Sequence, residues 1–147
     1  MKEELKGIVP RLVSEIFSTI EDSPENLEFI VKLSMLELYM EEIRDLLNPV
    51  SKKKIRIRQD PNKGLYMENL ADVCVVDELD VQTYYNQGIS NRSIGRTNMN
   101  AVSSRSHMIT IINITQNDTI ENNIKRGKLY LIDLAGSEKV GKTGAKG

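Results

Sequence analysis

The stretch LEFIVKLSMLELYM, residues 27–40, decides the fold. Its odd-numbered positions hold Phe29, Val31 and Leu33, and the positions between them also become apolar toward the end of the stretch. A period of two residues is the period of a β-strand, and apolar side chains on both sides are typical of a strand that is buried on both faces. We therefore predict a central, buried strand here.

Helical and extended patterns alternate on either side of this strand. The predicted elements are a helix (10–20), the central strand (27–40), a helical turn (41–47), an edge strand (51–58), a turn (59–64), an extended segment (65–76), a helix capped by Asp77 that ends at Gly88 or within 90–91, a polar loop (91–107), a strand (108–115), a hairpin connection (117–123) and a strand (128–133). Strands with helices at intervals predict an α/β fold with a mixed central sheet and flanking helices.

The composition excludes several classes of protein. The chain has 147 residues, of which 39% are hydrophobic and 28% charged, and its net charge is -1. These values are typical of a globular domain and exclude a bulk electrostatic nucleic-acid binder. One cysteine cannot form an internal disulfide, and His107 alone cannot build a metal site. No window approaches the roughly 18 apolar residues of a membrane span, so we expect a cytoplasmic chain without membrane insertion.

A basic segment follows the helical turn. Residues 51–58 read SKKKIRIR and carry five cations in eight positions, with isoleucines at two alternate positions. Two interpretations are open. Charged side chains protect an exposed edge strand from aggregation, and a cluster of cations can also dock on an acidic partner.

The C-terminal residues contain a pattern that is misleading by itself. GSEKVGKT, residues 136–143, fits the phosphate-loop pattern G-x-x-x-x-G-K-[ST] and follows an apolar strand. That motif needs a helix beginning at Lys142, and only GAKG follows Thr143, so we predict that this is not a phosphate loop. Asp133 and Gly136 instead fit the D-x-x-G of nucleotide switches, in which the aspartate holds magnesium through water and the glycine amide senses the γ-phosphate.

A second polar segment joins this one. NAVSSRSH, residues 100–107, places an amide, three hydroxyls and a guanidinium in one stretch before a strand. Together with DLAGSE, residues 133–138, it resembles switch I and switch II of the kinesin motor domain. Further segments similar to that family are GIVPRL (7–12), ELYMEEIRDLL (37–47), SNR (90–92), TNMN (97–100) and GKLYLIDLAGSEKVGKTG (127–144). The resemblance covers nearly the whole chain and is closest to conventional heavy chains.

The resemblance implies a fold and a domain organisation. It implies a P-loop-NTPase-like kinesin motor fold, with residues 1–147 as one partial motor domain that is incomplete at both ends. On this basis we expect the phosphate loop to lie upstream of the chain, and the relay helix and neck to lie downstream of it.

The resemblance also implies roles in the first switch and in catalysis. Ser103 and Ser104 would reach the γ-phosphate, its magnesium and the attacking water, and Asn100 would order their loop. Arg105 and Glu138 would form the ion pair that closes over the nucleotide. Catalysis of this kind works by positioning and electrostatics.

The cofactor implied is ATP or ADP with Mg²⁺, and the switches would sense it. Ser104 and Asp133 would support the magnesium indirectly, and the amide of Gly136 would report the γ-phosphate. Arg58 and Lys63, in the basic strand and turn, become candidate contacts to the acidic surface of β-tubulin.

The function implied is a segment of a microtubule-stimulated ATPase that couples ATP hydrolysis to movement along microtubules. Its partners would be microtubules, ATP and the rest of the motor chain, and its location the cytoplasmic cytoskeleton. The chain alone is expected to be inactive, because it lacks the phosphate loop. A noncatalytic segment that binds tubulin or a motor subunit without ATP turnover stays open as the alternative.

Overall fold

The structure, a computed structural model, describes residues 8–62, 64–99 and 106–133. The elements are α1 (Ile8–Glu21), β1 (Leu27–Tyr39), β2 (Glu42–Asp45), β3 (Arg56–Asp60), β4 (Gly64–Glu68), β5 (Val73–Val75), α2 (Glu78–Met99), β6 (Ser106–Asp118) and β7 (Asn123–Asp133). The chain contains both helices and strands, which confirms the predicted α/β class.

Strand β1 lies in the middle of the larger sheet. Strand β6 pairs with it along its whole length, from Leu27 opposite Asp118 to Tyr39 opposite Ser106. Strands β2 and β5 pair with the other edge of β1, and β7 pairs with β6. All these pairs are antiparallel, so the part of the predicted mixed sheet that the structure describes is antiparallel. Strands β3 and β4 form a separate two-stranded sheet.

The central strand is buried on both faces from Leu33 to Glu37, as its pattern predicts, whereas Ile30 on its first half is exposed. Val31 and Leu33 lie in a hydrophobic core with Val13 of α1 and Val81 of α2. On the opposite face of β1, Leu36 is also buried. Each such side chain stabilises the fold by about 1.5–3 kcal/mol relative to its exposed state. Both helices are therefore held on one face of the sheet, next to β1.

The start of α2 confirms the predicted cap. The Asp77 carboxylate accepts a hydrogen bond of 2.8 Å from the Asp80 amide, and the Asp80 carboxylate accepts one of 3.0 Å from the Val76 amide. These reciprocal bonds resemble a capping box, in which side chains satisfy amides that the helix leaves without partners.

The predicted end of α2 was wrong. The helix does not stop at Gly88 or within residues 90–91 but continues to Met99, so most of the predicted polar loop is helical. A Cβ built at Gly88 would lie 2.5 Å from the Met35 sulfur, so the glycine allows close approach to β1 instead of ending the helix. Beyond it, the Asn91 side chain donates to the Leu46 carbonyl. Such tertiary contacts override weak local propensity.

Two further segments differ from expectation. Residues 41–47, expected as a helical turn, contain β2, because Met40 and Glu41 adopt positive φ angles of 49° and 69° and turn the chain back on β1. A turn with two positive φ angles matches the twist of a β-hairpin. The extended segment 65–76 is divided into β4 and β5 around Asn69, which has a φ of 72°.

The predicted hairpin connection between β6 and β7 is confirmed. Both strands are longer than predicted, and the turn spans residues 119–122. The Asp118 carboxylate accepts hydrogen bonds from the Asn26 side chain and from the amides of Ile120 and Glu121. The bond from Asn26 contributes most to lowering the pKa of the Asp118 carboxyl. This carboxylate therefore joins the turn to the loop that precedes β1.

We expect Gly88→Ala to destabilise the protein by about 1 kcal/mol, because overpacking against the fully buried Met35 outweighs the better helix propensity of alanine. Urea unfolding measures the change. The matched control is Gly127→Ala, where the new Cβ meets nothing within 4 Å and stability should change by less than about 0.5 kcal/mol. In a Met35→Ala background the Gly88→Ala cost should vanish. Equal costs in the two backgrounds would contradict the packing argument.

Candidate functional site

Most of the predicted site residues lie outside the described part of the chain. Asn100, Ser103, Ser104 and Arg105 fall between α2 and β6 in the sequence, Gly136 and Glu138 follow β7, and Lys63 falls between β3 and β4. Two predicted residues are described, namely Arg58 on β3 and Asp133 at the end of β7.

The sheet brings the two predicted switch segments to one end of neighbouring strands. Strand β6 begins at Ser106, near the end of the first segment (100–107), and β7 ends at Asp133, the first residue of the second segment (133–138). Because the strands are antiparallel, Asp133 pairs with Met108, two residues from Ser106. The chain therefore enters β6 beside the point at which it leaves β7.

Arg92, on the second half of α2, connects these two strand ends. Its Nη2 donates to the Ser106 hydroxyl at 3.0 Å, and its Nη1 lies 3.6 Å from an oxygen of Asp133. Its Nε donates to Glu37 of β1 at 3.2 Å. The side chain is only 11% exposed. One guanidinium thus joins α2, β1, β6 and β7.

Glu37 holds this guanidinium from within the sheet. Its side chain is 3% exposed and lies between two arginines, with Arg92 at 3.2 Å and the Arg44 Nη2 at 3.4 Å. The same Arg44 nitrogen donates to the Asn91 carbonyl at 2.7 Å. A buried carboxylate needs such partners, because desolvation of an unpaired charge costs several kcal/mol.

Asp133 is the exposed member of the cluster. Its side chain is 55% exposed, and its contact with Arg92 is long for an ion pair. Since a carboxylate offers about four lone-pair sites, Asp133 can accept hydrogen bonds from water while it faces Arg92. Within the described ranges, no group of three or more His, Cys, Asp and Glu side chains could hold a metal ion directly.

The basic segment is a second candidate site. The side chains of Lys52, Lys53, Lys54 and Arg56 are exposed, and Arg58 donates from Nε to Glu68 of β4 at 2.7 Å. That hydrogen bond and the charge of Glu68 raise the pKa of Arg58. The surface is therefore basic overall, but Arg58 already has an acidic partner.

Sequence reasoning identified Asp133 but missed the residues that organise its surroundings. Glu37 lies in the predicted central strand, and Arg92 lies in the segment predicted to be a polar loop. The position of Glu37 between Leu36 and Leu38 was the available signal, because a carboxylate that is buried among apolar residues requires a cationic partner. Its partner could not be inferred, since Arg92 is 55 residues away in the chain.

We expect Arg92→Met to lower the free energy of unfolding by about 3 kcal/mol, because it leaves Glu37 buried without one of its cations. Chemical denaturation measures the loss. Arg58→Met removes an exposed arginine that pairs with Glu68, and it should lower the free energy of unfolding far less than Arg92→Met does. Adding Glu37→Gln to Arg92→Met should recover part of the loss. Equal losses for the two arginine variants would contradict the assignment of a buried charge cluster.

The family model described as the kinesin motor domain matches residues 1–147. The chain is 52% identical over 145 residues to a kinesin heavy chain of Syncephalastrum racemosum, with 99% of this chain and 15% of the relative covered. It is 50% identical over 145 residues to kinesin-related protein 3 of Dictyostelium discoideum, with 99% of this chain and 12% of that relative covered.

A solved structure gives the same result for the fold. The structure of a fast kinesin has a TM-score of 0.83 to this chain at 44% identity, covering 96% of this chain and 40% of that one. The chain therefore spans less than half the length of each of these proteins. None of the helices in the described ranges is long and apolar enough to cross a membrane. The match over all 147 residues shows that the chain belongs to the kinesin motor domain family.

Proposed function

We propose that this chain is a segment of a microtubule-stimulated motor ATPase and contributes its nucleotide-sensing switches and one microtubule-docking surface. The observation that carries the proposal is the contact of Arg92 with both Ser106 and Asp133, because it joins the two strands on which the predicted switch segments are mounted. Membership of the kinesin motor domain family supports the same conclusion. The site of action would be microtubules in the cytoplasm.

The nucleotide roles are assigned by resemblance to the family. Ser103 and Ser104 would contact the γ-phosphate and the attacking water, with Asn100 ordering their loop. Arg105 would pair with Glu138 when the site closes. Two segments attached to adjacent strand ends can respond together to one phosphate, and this arrangement supports the assignment.

Asp133 and Ser104 are the residues that would hold Mg²⁺ indirectly, and the amide of Gly136 would sense the γ-phosphate. The surroundings of Asp133 fit this role, because its carboxylate is half exposed and has lone pairs available beyond its long contact with Arg92. Bound Mg²⁺ would neutralise charge on the phosphate oxygens. Arg92 would keep the Asp133 carboxylate oriented at the end of β7.

We expect Arg105→Ala or Glu138→Ala to reduce ATP turnover at least about 100-fold while nucleotide affinity changes little, because the pair acts on charge that develops during hydrolysis. The test uses an intact motor, in which residues 1–147 replace the aligned segment of the Syncephalastrum racemosum heavy chain. Steady-state turnover and nucleotide affinity are measured separately. Glu121→Ala, in the exposed β6–β7 turn, is the matched control.

Two results would contradict this assignment. Loss of nucleotide affinity with unchanged turnover per bound nucleotide would mean that the pair binds ATP and does not assist hydrolysis. Microtubule binding by the unsubstituted intact motor without any ATP turnover would favour a noncatalytic binding segment instead.

The docking role falls on the basic strand and its turn. Arg58 and Lys63 would face an acidic partner surface, and the exposed lysines at 52–54 would add to the local field. Arg58 is paired with Glu68 at 2.7 Å, so docking would require it to share its guanidinium between Glu68 and the partner. A guanidinium has five N–H donors and can serve both.

We expect the double variant Arg58→Ala, Lys63→Ala to raise the half-saturating microtubule concentration of the intact motor several-fold. The difference should be largest at low ionic strength and should shrink as salt is added, because salt screens exposed charges. Microtubule-stimulated turnover at several salt concentrations measures it. Lys125→Ala, Arg126→Ala removes two exposed cations from β7 and is the control. Identical half-saturation for both variants at every salt concentration would refute the docking surface.

A further inference from the structure

The hairpin β3–β4 lies within residues 46–72, an excursion of the chain away from the larger sheet. The chain leaves the sheet after Asp45, at the end of β2, and returns just before β5. Strands β3 and β4 pair with one another, and among the described strands neither joins the larger sheet. Backbone pairing therefore does not fix the orientation of the hairpin, and side-chain contacts must do so.

One buried carboxylate holds both ends of this excursion. Asp45 Oδ1 accepts hydrogen bonds from the amides of Leu47 at 3.0 Å and Asn48 at 3.2 Å, where the chain leaves the sheet. Asp45 Oδ2 accepts one of 2.7 Å from the amide of Ala71, where the chain returns. The residue is 5% exposed. Hydrogen bonds to an ionised acceptor are about twice as strong as those between neutral groups.

Asp45 is itself firmly mounted. It pairs with Leu36 of β1, which is buried, and the next residue, Leu46, is fully buried and donates its amide to the Met35 carbonyl at 2.9 Å. The three hydrogen bonds to Asp45 therefore connect both ends of the excursion to the central strand.

Two further hydrogen bonds in this part of the chain are made by exposed side chains. Asn69 donates to the Lys54 carbonyl at 2.9 Å, and the Lys128 ammonium of β7 donates to the Leu65 carbonyl near the hairpin turn. Both bonds lie in solvent, where water competes for donor and acceptor. The buried carboxylate is thus a stronger constraint than either of these two bonds.

We infer that Asp45 is a positioning residue for microtubule docking, and this inference rests on the proposed function of the basic hairpin. By closing the base of the excursion, Asp45 holds Arg58 and its neighbours in one orientation relative to the sheet. A hairpin that is already oriented loses less conformational entropy when it binds. Asp45 does not need to contact the partner to have this effect.

Asp45→Asn tests the inference with little change of volume. The new amide group places a donor where an oxygen accepted hydrogen bonds, so at least one amide at the base of the excursion loses its partner. The matched control is Asp72→Asn, which removes the same charge one residue beyond Ala71. Asp72 is about half exposed, and its contact with Lys32 is long, at 4.0 Å. Loss of the Asp72 charge should therefore have little effect.

The first measurement is amide hydrogen exchange of the intact motor without microtubules. In Asp45→Asn we expect the amides of Leu47, Asn48 and Ala71 to exchange about tenfold faster or more, while those of β6 keep their protection. Asp72→Asn should match the unsubstituted protein. Unchanged protection of these three amides in Asp45→Asn would overturn the inference, whatever the microtubule assay shows.

The second measurement is microtubule-stimulated turnover. Asp45→Asn should raise the half-saturating microtubule concentration several-fold and change kcat by less than twofold, a split that general loss of structure would not produce. Arg58→Ala should then cost less in the Asp45→Asn background than alone. If Asp45→Asn instead lowered kcat several-fold and left the half-saturating microtubule concentration unchanged, the inference would be overturned.

The two ways of failing can be told apart. If Arg58→Ala and Asp45→Asn both leave half-saturation unchanged while the exchange result holds, the proposed docking surface is wrong. If Arg58→Ala weakens docking and Asp45→Asn behaves like Asp72→Asn, the positioning role is wrong. Should Asp45→Asn fail to fold, Ala71→Pro removes the amide donor at the returning end while leaving the Asp45 carboxylate in place, and it should also raise the half-saturating microtubule concentration. Normal docking by Ala71→Pro would also overturn the inference.

Discussion

The pairing of β1 with β6 is the constraint on which the rest of the structure depends. The two strands match residue for residue from Leu27 to Tyr39, and this ladder forms the centre of the larger sheet. The helices pack on one face of it, and β2, β5 and β7 extend it at its two edges. Its register also places Ser106 at the end of the sheet where Asp133 ends β7. The same ladder therefore positions both the hydrophobic core and the candidate site.

A buried charge cluster is attached to this ladder. Glu37 projects from the middle strand and is surrounded by Arg44 and Arg92, and Arg92 extends to Ser106 and Asp133. Buried ion pairs contribute little net stability, but breaking one is costly because the remaining charge has no partner. The cluster thus favours a single arrangement of the two strand ends. That property suits a site whose proposed role is to respond to one phosphate group.

The basic hairpin is organised differently. Its strands do not belong to the larger sheet, and one buried link from the base of the hairpin to the central strand passes through the carboxylate of Asp45. In the proposed docking, different residues therefore have different tasks. Asp45 orients the hairpin, and the exposed cations attract the acidic partner. The strand ends proposed to sense the nucleotide and the hairpin proposed to dock are both connected to β1, through its pairing with β6 and with β2.

Much of the secondary structure could be predicted locally. Periodicity identified α1, β1, β6 and β7, and the cap at Asp77 located the start of α2. Local signals failed where distant contacts decide the conformation. Gly88 is a helix-ending residue by propensity, yet here it allows α2 to approach Met35. Residues 41–47 have a helical pattern, yet the turn at Met40 and Glu41 pairs them with β1.

The sequence by itself determined the α/β class, the buried central strand and the family, because periodicity and motif spacing are local properties that one chain displays. It also singled out Asp133 as a candidate site residue. Only the tertiary structure decided that Glu37 and Arg92 organise the surroundings of Asp133, and that Asp45 closes the base of the basic hairpin. The physical reason is that a buried charge or carboxylate is defined by its partners. Arg92 is 55 residues away from Glu37 in the chain, and Ala71, whose amide donates to Asp45, is 26 residues away from Asp45.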